Sequence, residues 1–386
     1  MKPSFSLFLF IAFAYTSAAQ KPAAVVNEFA ATDAKALKLP DSLTTTTDGI
    51  ASYMNAHFKT EKDKTRAIFI WLASNIQYDV ENMFAINFYE AKEDLIRKPL
   101  ASRKGICSNY AALFNDISTK SGITSFVVEG YTKQNGFTDY IPHAWCAAMV
   151  DSSWFMFDPT WGSGYINAGK FYKRINNGYY KVKPALIIKS HMPFDYLWQF
   201  LNYPVTNQEF YEGRIAENKS KPYFNYNDSI KNYRQQEHIA QLTAAAYRIE
   251  KNGVKNAMIF DRLRNIKVEL ENYRLNEMNR LYNDAVADFN SAIGAFNLFI
   301  QYRNKQFIPL KPDIDIQKMI DESTGLLTEA KNKMANIKDP DANTVGLIRQ
   351  LNKSIDEMAL QVREQQEWLN TYFSKNKAKR KAMFYQ

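Results

Sequence analysis

The periodicity of hydrophobic and polar positions changes near the middle of the chain, which predicts two regions of different structure. Up to about Gly213, helical spacings alternate with strand-like runs. Beyond it, glycine and proline become rare and apolar residues recur every three or four positions. The pattern predicts an α+β domain followed by an all-α domain. We assign residues 20–40 to an N-terminal linker, 41–215 to the α+β domain, 216–228 to a polar connector and 229–386 to the helical domain.

Two helices are predicted on either side of a glycine in the first region. The segment Glu61 to Ile76 carries its apolar residues close to one helical face. Gly105 then interrupts the pattern, and a second helical run extends from Cys107 to Lys120. The second helix is therefore predicted to begin with a cysteine.

Three strands are predicted after that helix. The stretch Ile123 to Thr132 is rich in β-branched and aromatic residues, which favour strands. Two more strand-like runs, His143 to Val150 and Trp154 to Phe157, flank the short polar link Asp151-Ser152-Ser153. A link of this kind is typical of a hairpin turn.

The second region contains three amphipathic helical patterns, separated by Pro309, Pro312 and Pro340. Apolar stripes joined by short links predict an antiparallel helical bundle or coiled-coil hairpins. We expect a structural role or the docking of a protein partner, because no paired histidine and carboxylate spacing here indicates a metal site. The stripes comprise Ile259, Leu263, Ile266, Leu270, Tyr273, Met278, Leu281, Ala285, Phe289, Ile293, Phe296 and Ile300, then Ile316, Ile320, Leu327, Ala330, Met334 and Ile337, then Val345, Ile348, Leu351, Ile355, Met358 and Val362.

Composition and charge exclude little but favour two globular domains. The chain has 386 residues, of which 46% are hydrophobic, and a net charge of +9. The positive charge is spread along the chain and no nucleic-acid-binding motif is present, so we expect no nucleic-acid partner. A tight basic cluster at the C-terminus is typical of a solvated, frayed tail; it comprises Lys375, Lys377, Lys379, Arg380 and Lys381.

The N-terminus has the layout of a secretory signal peptide. Lys2 supplies a positive charge, Phe5 to Tyr15 is largely apolar, and Ser17-Ala18-Ala19 offers small residues for cleavage. A bilayer requires about 20 apolar residues, so this stretch is too short to span one. We predict a signal peptide over residues 1–19, a mature chain from Gln20 without a membrane span, and a secreted or periplasmic location.

Two cysteines, Cys107 and Cys146, do not make a disulfide framework. They pair with each other, or one of them is a working thiol. Cys107 lies at a predicted helix start, where unpaired N–H groups and the helix dipole favour a thiolate. Its position alone fits an inert buried cysteine equally well.

His143 and Asp158 extend Cys107 to a candidate catalytic triad. His143 leads one predicted strand and Asp158 ends the next, so a hairpin would place both toward its open end. The imidazole can then take the cysteine proton, and the carboxylate can orient the imidazole and stabilise its charged form. Taken alone, Asp158 before Pro159 is typical of a turn.

These residues lie in motifs that resemble those of the transglutaminase-like superfamily, in identity and in order. The motifs are Gly105-Ile106-Cys107, His143-Ala144-Trp145 and Asp158-Pro159-Thr160-Trp161. Three further motifs resemble a subgroup related to the kyphoscoliosis peptidase: Tyr78-Asp79, His191-Met192-Pro193 and Trp198-Gln199. The resemblance covers roughly residues 62–210.

The resemblance implies a papain-like fold and thioester chemistry on a peptide or carboxamide bond. We expect no metal and no cofactor. Cys107 would attack the carbonyl, His143 would shuttle the proton and Asp158 would orient His143. The backbone N–H of Cys107 would meet part of the oxyanion. Trp145 and Trp161 would wall the substrate groove, although packing explains both residues equally well.

Two residues near the motifs receive structural assignments. Cys146 stands where the family often has a polar residue; three positions from His143 along a strand, it faces the opposite side. We therefore expect Cys146 to be a small core residue rather than a disulfide partner of Cys107. His191 is expected to be structural.

Two classes of function remain open at this point. The first is an enzyme acting on protein or peptide substrates, with hydrolysis favoured slightly over transfer to an amine, because no acidic calcium-binding loop is evident. The second is a non-catalytic scaffold that binds proteins. The intact set of Cys107, His143 and Asp158 favours the enzyme.

Overall fold

The computed structural model describes residues 28–85, 90–134 and 136–385. The predicted signal peptide and the first part of the expected linker lie outside these residues. The described chain forms two compact units. The first extends to Pro193 and takes in Trp198–Val205 and Glu209–Pro222, while the second comprises Phe194–Leu197, Thr206–Gln208 and the chain from Tyr223 onward.

Both helices predicted in the α+β region are confirmed, as α3 and α5. Thr60 caps α3 by accepting a hydrogen bond from the backbone N–H of Asp63, which fixes the start of this helix. In chain order the helices up to residue 222 are α1 (Ala30–Ala36), α2 (Thr47–His57), α3 (Glu61–Asn75), α4 (Lys92–Ser102), α5 (Cys107–Lys120), α6 (Pro159–Ser163), α7 (Pro184–Ile187) and α8 (Asn207–Glu212). Short 3₁₀ helices occupy Asp41–Leu43, Asn177–Tyr179 and Tyr196–Gln199.

A four-stranded antiparallel sheet in the order β5-β4-β3-β8 lies at the centre of the first unit. The three predicted strands are its members β3, β4 and β5, and a fourth strand that periodicity did not predict joins the free edge of β3. Its strands are β3 (Ser125–Gln134), β4 (Phe137–Val150), β5 (Ser153–Phe157) and β8 (His191–Pro193). Two small two-stranded sheets consist of β1 (Gln77–Tyr78) with β2 (Lys104–Gly105) and of β6 (Gly164–Asn167) with β7 (Lys170–Lys173).

The predicted hairpin between β4 and β5 is also confirmed. Val150 pairs with Ser153, so the turn itself is Asp151 and Ser152. Both turn residues have positive φ, 51° and 62°, which matches the right-handed twist of the flanking strands. The hairpin places the start of the predicted His143 strand beside the end of β5.

Helix α5 packs against β3 and β4 and forms the centre of the core. Its residues Tyr110, Leu113, Phe114 and Ile117 are fully buried. Alternate residues of β4 face this helix and include Cys146, whose thiol donates to the carbonyl of Ala111 at 3.2 Å. The packing of α5 on the sheet therefore fixes where the N-terminus of this helix lies relative to β4.

Helix α1 lies within the range expected to be a linker, and a buried ion pair joins it to α3. The guanidinium of Arg66 donates to both carboxylate oxygens of Asp33 at 2.6 Å and to Oδ1 of Asn177 at 2.8 Å. The ring of Phe29 lies 4.2 Å from the guanidinium carbon. Only 2% of the Arg66 side chain is exposed, so its charge depends on these partners. Residues 30–36 are thus part of the first unit.

We expect Asp33→Asn to destabilise the first unit by about 3–5 kcal/mol, because it leaves the buried Arg66 charge without its counter-ion. Urea unfolding followed by tryptophan fluorescence can measure this, since five of the six tryptophans lie in the first unit. Glu28→Ala is the matched control: Glu28 pairs with Lys62 at 3.4 Å, with 66% and 47% of the side chains exposed. Its removal should cost less than about 1 kcal/mol. Equal small effects would mean that the Arg66 pair does not anchor α1.

The second unit is helical, as predicted, and most of the stripe residues from Ala285 to Val362 form one core. The first predicted run is a single helix of 48 residues, α11. Helix α12 packs against both α11 and α13. The helices are α9 (Tyr226–Gln235), α10 (His238–Asn252), α11 (Ala257–Asn304), α12 (Asp313–Ala335), α13 (Ala342–Phe373) and α14 (Lys377–Ala382).

The basic C-terminal segment differs from the frayed tail that its charge predicted. It forms α14, and Arg380 donates to the carboxylate of Asp313 at 2.7 and 2.8 Å. The guanidinium carbon of Arg380 also lies 4.9 Å from the ring centre of Tyr372. The ion pair and the ring contact hold the segment against the helical core. Within the described chain, no helix combines the length and apolar character that crossing a membrane requires.

Candidate active site

Cys107 is the first residue of α5, as predicted, and Asn109 fixes the chain that leads to it. Oδ1 of Asn109 accepts from the backbone N–H of Ile106 at 2.9 Å, and Nδ2 donates to the carbonyl of Leu95 at 3.1 Å. As the first helical residue, Cys107 has a backbone N–H without an acceptor in the helix. The thiol therefore projects from a rigid helix end that also offers a backbone donor.

His143 and Asp158 lie side by side, although His143 is in the middle of β4 rather than at the start of a strand as predicted, while Asp158 directly follows β5. Nε2 of His143 lies 2.9 Å from Oδ2 of Asp158. The thiol of Cys107 also acts on this imidazole and helps to raise its pKa. Because Nε2 faces Asp158, Nδ1 is the nitrogen that is left for the sulfur. Three side chains that are far apart in sequence thus meet in one site.

The two oxygens of Asp158 have different tasks. Oδ1 caps α6 by accepting from the backbone N–H groups of Thr160 at 2.9 Å and Trp161 at 3.1 Å. Oδ2 faces the imidazole of His143. Asp158 is fully buried. It is therefore both the turn residue that Asp-Pro indicated and a carboxylate in contact with the histidine.

A second histidine shares the same carboxylate oxygen. Nε2 of His191, the first residue of β8, lies 3.2 Å from Oδ2 of Asp158. Its Nδ1 lies 2.8 Å from Oγ of Ser190, and the residue is only 1% exposed. Sequence reasoning assigned His191 a structural role and did not bring it to Asp158. The available signal was the His191-Met192-Pro193 motif, since a three-residue strand leaves no periodicity.

The buried charges divide the protons between these groups. Burial alone would raise the pKa of Asp158, but the two imidazoles, chiefly His143, hold it well below its usual range. Burial alone would lower the pKa of His143, yet Asp158 and then Cys107 raise it to about 10. Burial lowers the pKa of His191. At neutral pH the site therefore holds a charged His143, a neutral His191 and an ionised Asp158.

A groove with a volume of about 460 Å³ opens over Cys107 and His143. Tyr140, Tyr165 and Ile166 on its walls are 81%, 50% and 41% exposed, so solvent reaches it. Among the described residues, Asp139 is the only Asp, Glu, Lys or Arg in the lining. The other lining residues are Tyr78, Met83, Thr132, Gln134, Ile141, Pro142, Thr160, Trp161, Gly164, Phe171, Asn176 and Tyr179.

Tyr78 is the member of the Tyr-Asp motif that reaches this groove. It lies on β1 and pairs with Gly105, two residues before the cysteine. Burial, together with the charges of Cys107 and Asp158, raises the pKa of Tyr78 above its usual range. Its hydroxyl therefore stays protonated as a hydrogen-bond donor near the sulfur.

Of the two tryptophans expected to wall the groove, Trp161 lines it and Trp145 does not. Trp161 lines the groove, with its ring 5.4 Å from that of His143. Trp145 is 0% exposed and does not line the groove. It lies two residues from His143, on the same side of β4, where its ring stacks 6.0 Å from the imidazole and 5.0 Å from the ring of His191. Trp145 therefore supports the histidines from within the core.

Both cysteines are free. Cys146 is fully buried and faces α5, which confirms its assignment to the core. Burial raises the pKa of the Cys146 thiol well above its usual value. Cys107 is thus the thiol of the groove.

In the part of the chain that the structure describes, three side chains of this site could together offer ligand atoms to a metal ion. Ligand atoms of His143, Asp158 and His191 lie within 4.8 Å of one another. Both Nε2 atoms bond to the same Asp158 oxygen, so the three groups satisfy one another. Hydrogen bonding therefore accounts for their arrangement.

A helix-borne cysteine facing a histidine and an aspartate on an antiparallel sheet is the arrangement of a transglutaminase-like domain, and the comparisons agree. Residues 48–159 match the model of the transglutaminase-like superfamily. The chain therefore carries a domain of this superfamily.

The chain is also similar to the kyphoscoliosis peptidase. It is 33% identical to the mouse (Mus musculus) protein over 162 residues, which are 39% of this chain and 24% of that protein. It is 31% identical to the human (Homo sapiens) protein over 174 residues, 42% of this chain and 25% of that protein. The chain thus spans about a quarter of the length of these relatives. A crystal structure of a TGase shares 24% identity, with 40% of this chain and 37% of that chain covered and a TM-score of 0.24.

Proposed function

We propose that this chain is a cysteine enzyme that cleaves peptide or carboxamide bonds in proteins through a thioester. One observation carries the proposal: the thiol of Cys107 and the imidazole of His143 line one accessible groove, and the carboxylate of Asp158 contacts that imidazole. A nucleophile, a base and a group that orients the base are the parts that acyl transfer requires.

In the first half-reaction the thiolate of Cys107 adds to the carbonyl carbon, and the carbonyl oxygen becomes an oxyanion. The backbone N–H of Cys107 is placed to donate to that oxyanion. His143, which carries a proton at neutral pH, gives it to the leaving nitrogen as the carbon–nitrogen bond breaks. An amine leaves and a thioester remains on Cys107.

In the second half-reaction the neutral His143 takes a proton from water, and the water oxygen adds to the thioester carbonyl. The carbon–sulfur bond then breaks, the acid product leaves, and the thiolate faces a charged His143 again. An amine in place of water would give transamidation. We favour hydrolysis, because the exposed walls of the groove at Tyr140, Tyr165 and Ile166 admit water.

Export and the role of the helical unit belong to the same proposal. The pattern of Lys2, Phe5 to Tyr15 and Ser17-Ala18-Ala19 supports a cleaved signal peptide. An exported protein whose N-terminal sequence begins at Gln20 would bear this out. We further propose that the helical unit offers a surface for a protein partner.

The experiment is a peptide-library incubation of the mature full chain, with and without a labelled primary amine, beside its Cys107→Ser variant. We expect peptide cleavage by the parent chain and none by the variant. Incorporation of the amine would instead identify a transamidase. If neither reaction occurs and iodoacetamide labels Cys107 no faster than a free thiol, the enzyme proposal is wrong and the scaffold remains.

A further inference from the structure

The feature that the proposed mechanism does not use is the hydrogen bond from His191 to Asp158. Nε2 of His191 lies 3.2 Å from Oδ2, the oxygen that also faces His143 at 2.9 Å. The two imidazole rings are 5.6 Å apart, at 62° to one another. One carboxylate oxygen thus joins a histidine that contacts the thiol to a histidine that does not.

The ring of His191 is itself held from several sides. On β8, His191 pairs with Thr132 of β3. Its Nδ1 lies 2.8 Å from Oγ of Ser190, and the rings of Trp145 and Trp161 lie at 5.0 and 4.7 Å. A donor fixed in this way can set the orientation of the group that it contacts.

Gly130 allows the strand that carries His191 to approach. A Cβ at this position would lie 2.1 Å from the carbonyl oxygen of Met192 and 2.7 Å from Cη2 of Trp145. Both contacts are shorter than atoms can tolerate. The absence of a side chain at Gly130 therefore lets β8 and Trp145 close around the two histidines.

We propose that His191 is a positioning residue: it holds Oδ2 of Asp158 in line with Nε2 of His143 and shares the negative charge of that oxygen. The inference rests on the proposed function, because it concerns how Asp158 serves His143. Oδ1 is fixed by two backbone N–H groups, and His191 fixes the other oxygen. Together these contacts leave Asp158 one orientation.

The charges around His191 agree with a neutral donor. Asp158 and, more weakly, Asp139 favour its charged form, while burial and the charge of His143 oppose it. The ring of Tyr179 lies 6.0 Å away and carries no charge at neutral pH. In the neutral ring the proton lies on Nε2, toward Asp158, and Nδ1 accepts from the hydroxyl of Ser190. His191 thus donates to the carboxylate without competing with His143 for the proton.

The test compares His191→Phe with His191→Gln by the rate at which iodoacetamide alkylates Cys107 at pH 7 in the full chain, with a chelator present. Phenylalanine keeps a ring in the aromatic pocket and removes the donor. Glutamine places an amide N–H close to the position of Nε2. We expect His191→Phe to slow alkylation about 10- to 100-fold, the effect of losing one hydrogen bond to a charged group. His191→Gln should recover most of that loss.

A double-mutant cycle separates positioning from packing. If His191 acts through Asp158, then His191→Phe should change the alkylation rate by less than about 2-fold in an Asp158→Asn background. The inference would be overturned if His191→Phe still slowed alkylation in the Asp158→Asn background. It would also be overturned if His191→Gln did not restore the rate although the two His191 variants had the same melting temperature. A His191→Phe rate equal to that of the parent chain would overturn it as well.

These outcomes are distinct from failure of the proposed function. If the parent chain and His143→Ala are alkylated at the same rate, Cys107 is not activated, and the proposed function itself is wrong. If the parent is activated but His191→Phe leaves its rate unchanged, the proposed function stands and only the role of His191 falls.

Discussion

Replacing His143 by alanine is expected to slow the alkylation of Cys107 by iodoacetamide at pH 7 by about 30-fold or more and to abolish turnover. In the parent chain a charged imidazole, with a pKa of about 10, faces the sulfur and stabilises a thiolate. Without it the sulfur loses both the neighbouring positive charge and the base that takes its proton. Turnover also loses the group that protonates the leaving nitrogen, so kcat/KM should fall by about 10⁴-fold or more.

The measurement is the second-order rate constant of alkylation, with the labelled residue identified by mass spectrometry. One equivalent should enter the folded parent chain, because Cys146 is fully buried. His238→Ala is the matched control, since His238 is exposed and pairs with Glu269 at 2.7 Å in the helical unit. Its rate should equal that of the parent chain. Equal rates for the parent and His143→Ala would remove the case for an activated pair.

The elements that the sequence predicted are those with a long local signal. Helices α3 and α5 and the hairpin of β4 and β5 each follow from periodicity and turn chemistry within one stretch of chain. The approach of His143 to Asp158 then follows from the hairpin alone. The approach of Cys107 to His143 does not follow from the hairpin, because it depends on how α5 packs on the sheet.

The features that sequence reasoning missed depend on contacts between distant segments. Strand β8 has three residues and forms only because β3 offers a free edge, so His191 could not be placed from its neighbours in sequence. Helix α1 is short, and its link to the core is the pair between Asp33 and the buried Arg66. For Trp145 the sequence left the groove and the core equally open, and the alternation of β4 together with the approach of β8 encloses it in the core.

Asp158 shows why alternatives read from sequence need not exclude each other. A cap and an orienting carboxylate looked like competing explanations of one residue. A carboxylate has two oxygens, and here Oδ1 caps α6 while Oδ2 faces the histidines. Because the cap fixes which oxygen points where, it also determines what a substitution at this position will do.

Asp158→Asn is therefore expected to preserve the fold and lower kcat/KM by about 10⁴-fold. The backbone N–H groups of Thr160 and Trp161 require an acceptor, so the amide oxygen will take the place of Oδ1. The NH₂ group must then face Nε2 of His143 and donate to it. His143 is left neutral with its proton on Nδ1, toward the sulfur, where it can neither accept the thiol proton nor carry a charge.

The pKa of His143 reports this change directly. In the parent chain burial alone would lower that pKa. The charge of Asp158 and its hydrogen bond outweigh burial and raise the pKa to about 10. In Asp158→Asn the burial remains and the charge is gone, so the pKa should fall below its ordinary value of about 6.5. NMR titration of the histidine ring protons can measure the shift. Asp151→Asn makes the same chemical change at the closed end of the hairpin and should leave the titration unaltered.

The same shift reverses the pH dependence of stability. A raised pKa gives the parent chain a stabilising contribution from His143 that is complete below about pH 6.5 and is lost as the pH rises toward 10. In Asp158→Asn the lowered pKa of His143 means that its stabilising contribution is present at higher pH and is lost as the pH falls. Urea unfolding at pH 5 and pH 8 should therefore show a loss of stability at the lower pH that is greater for the variant than for the parent chain. A variant whose His143 still titrates near pH 10 would show that Asp158 does not hold the proton on this histidine, and the triad would lose its third member.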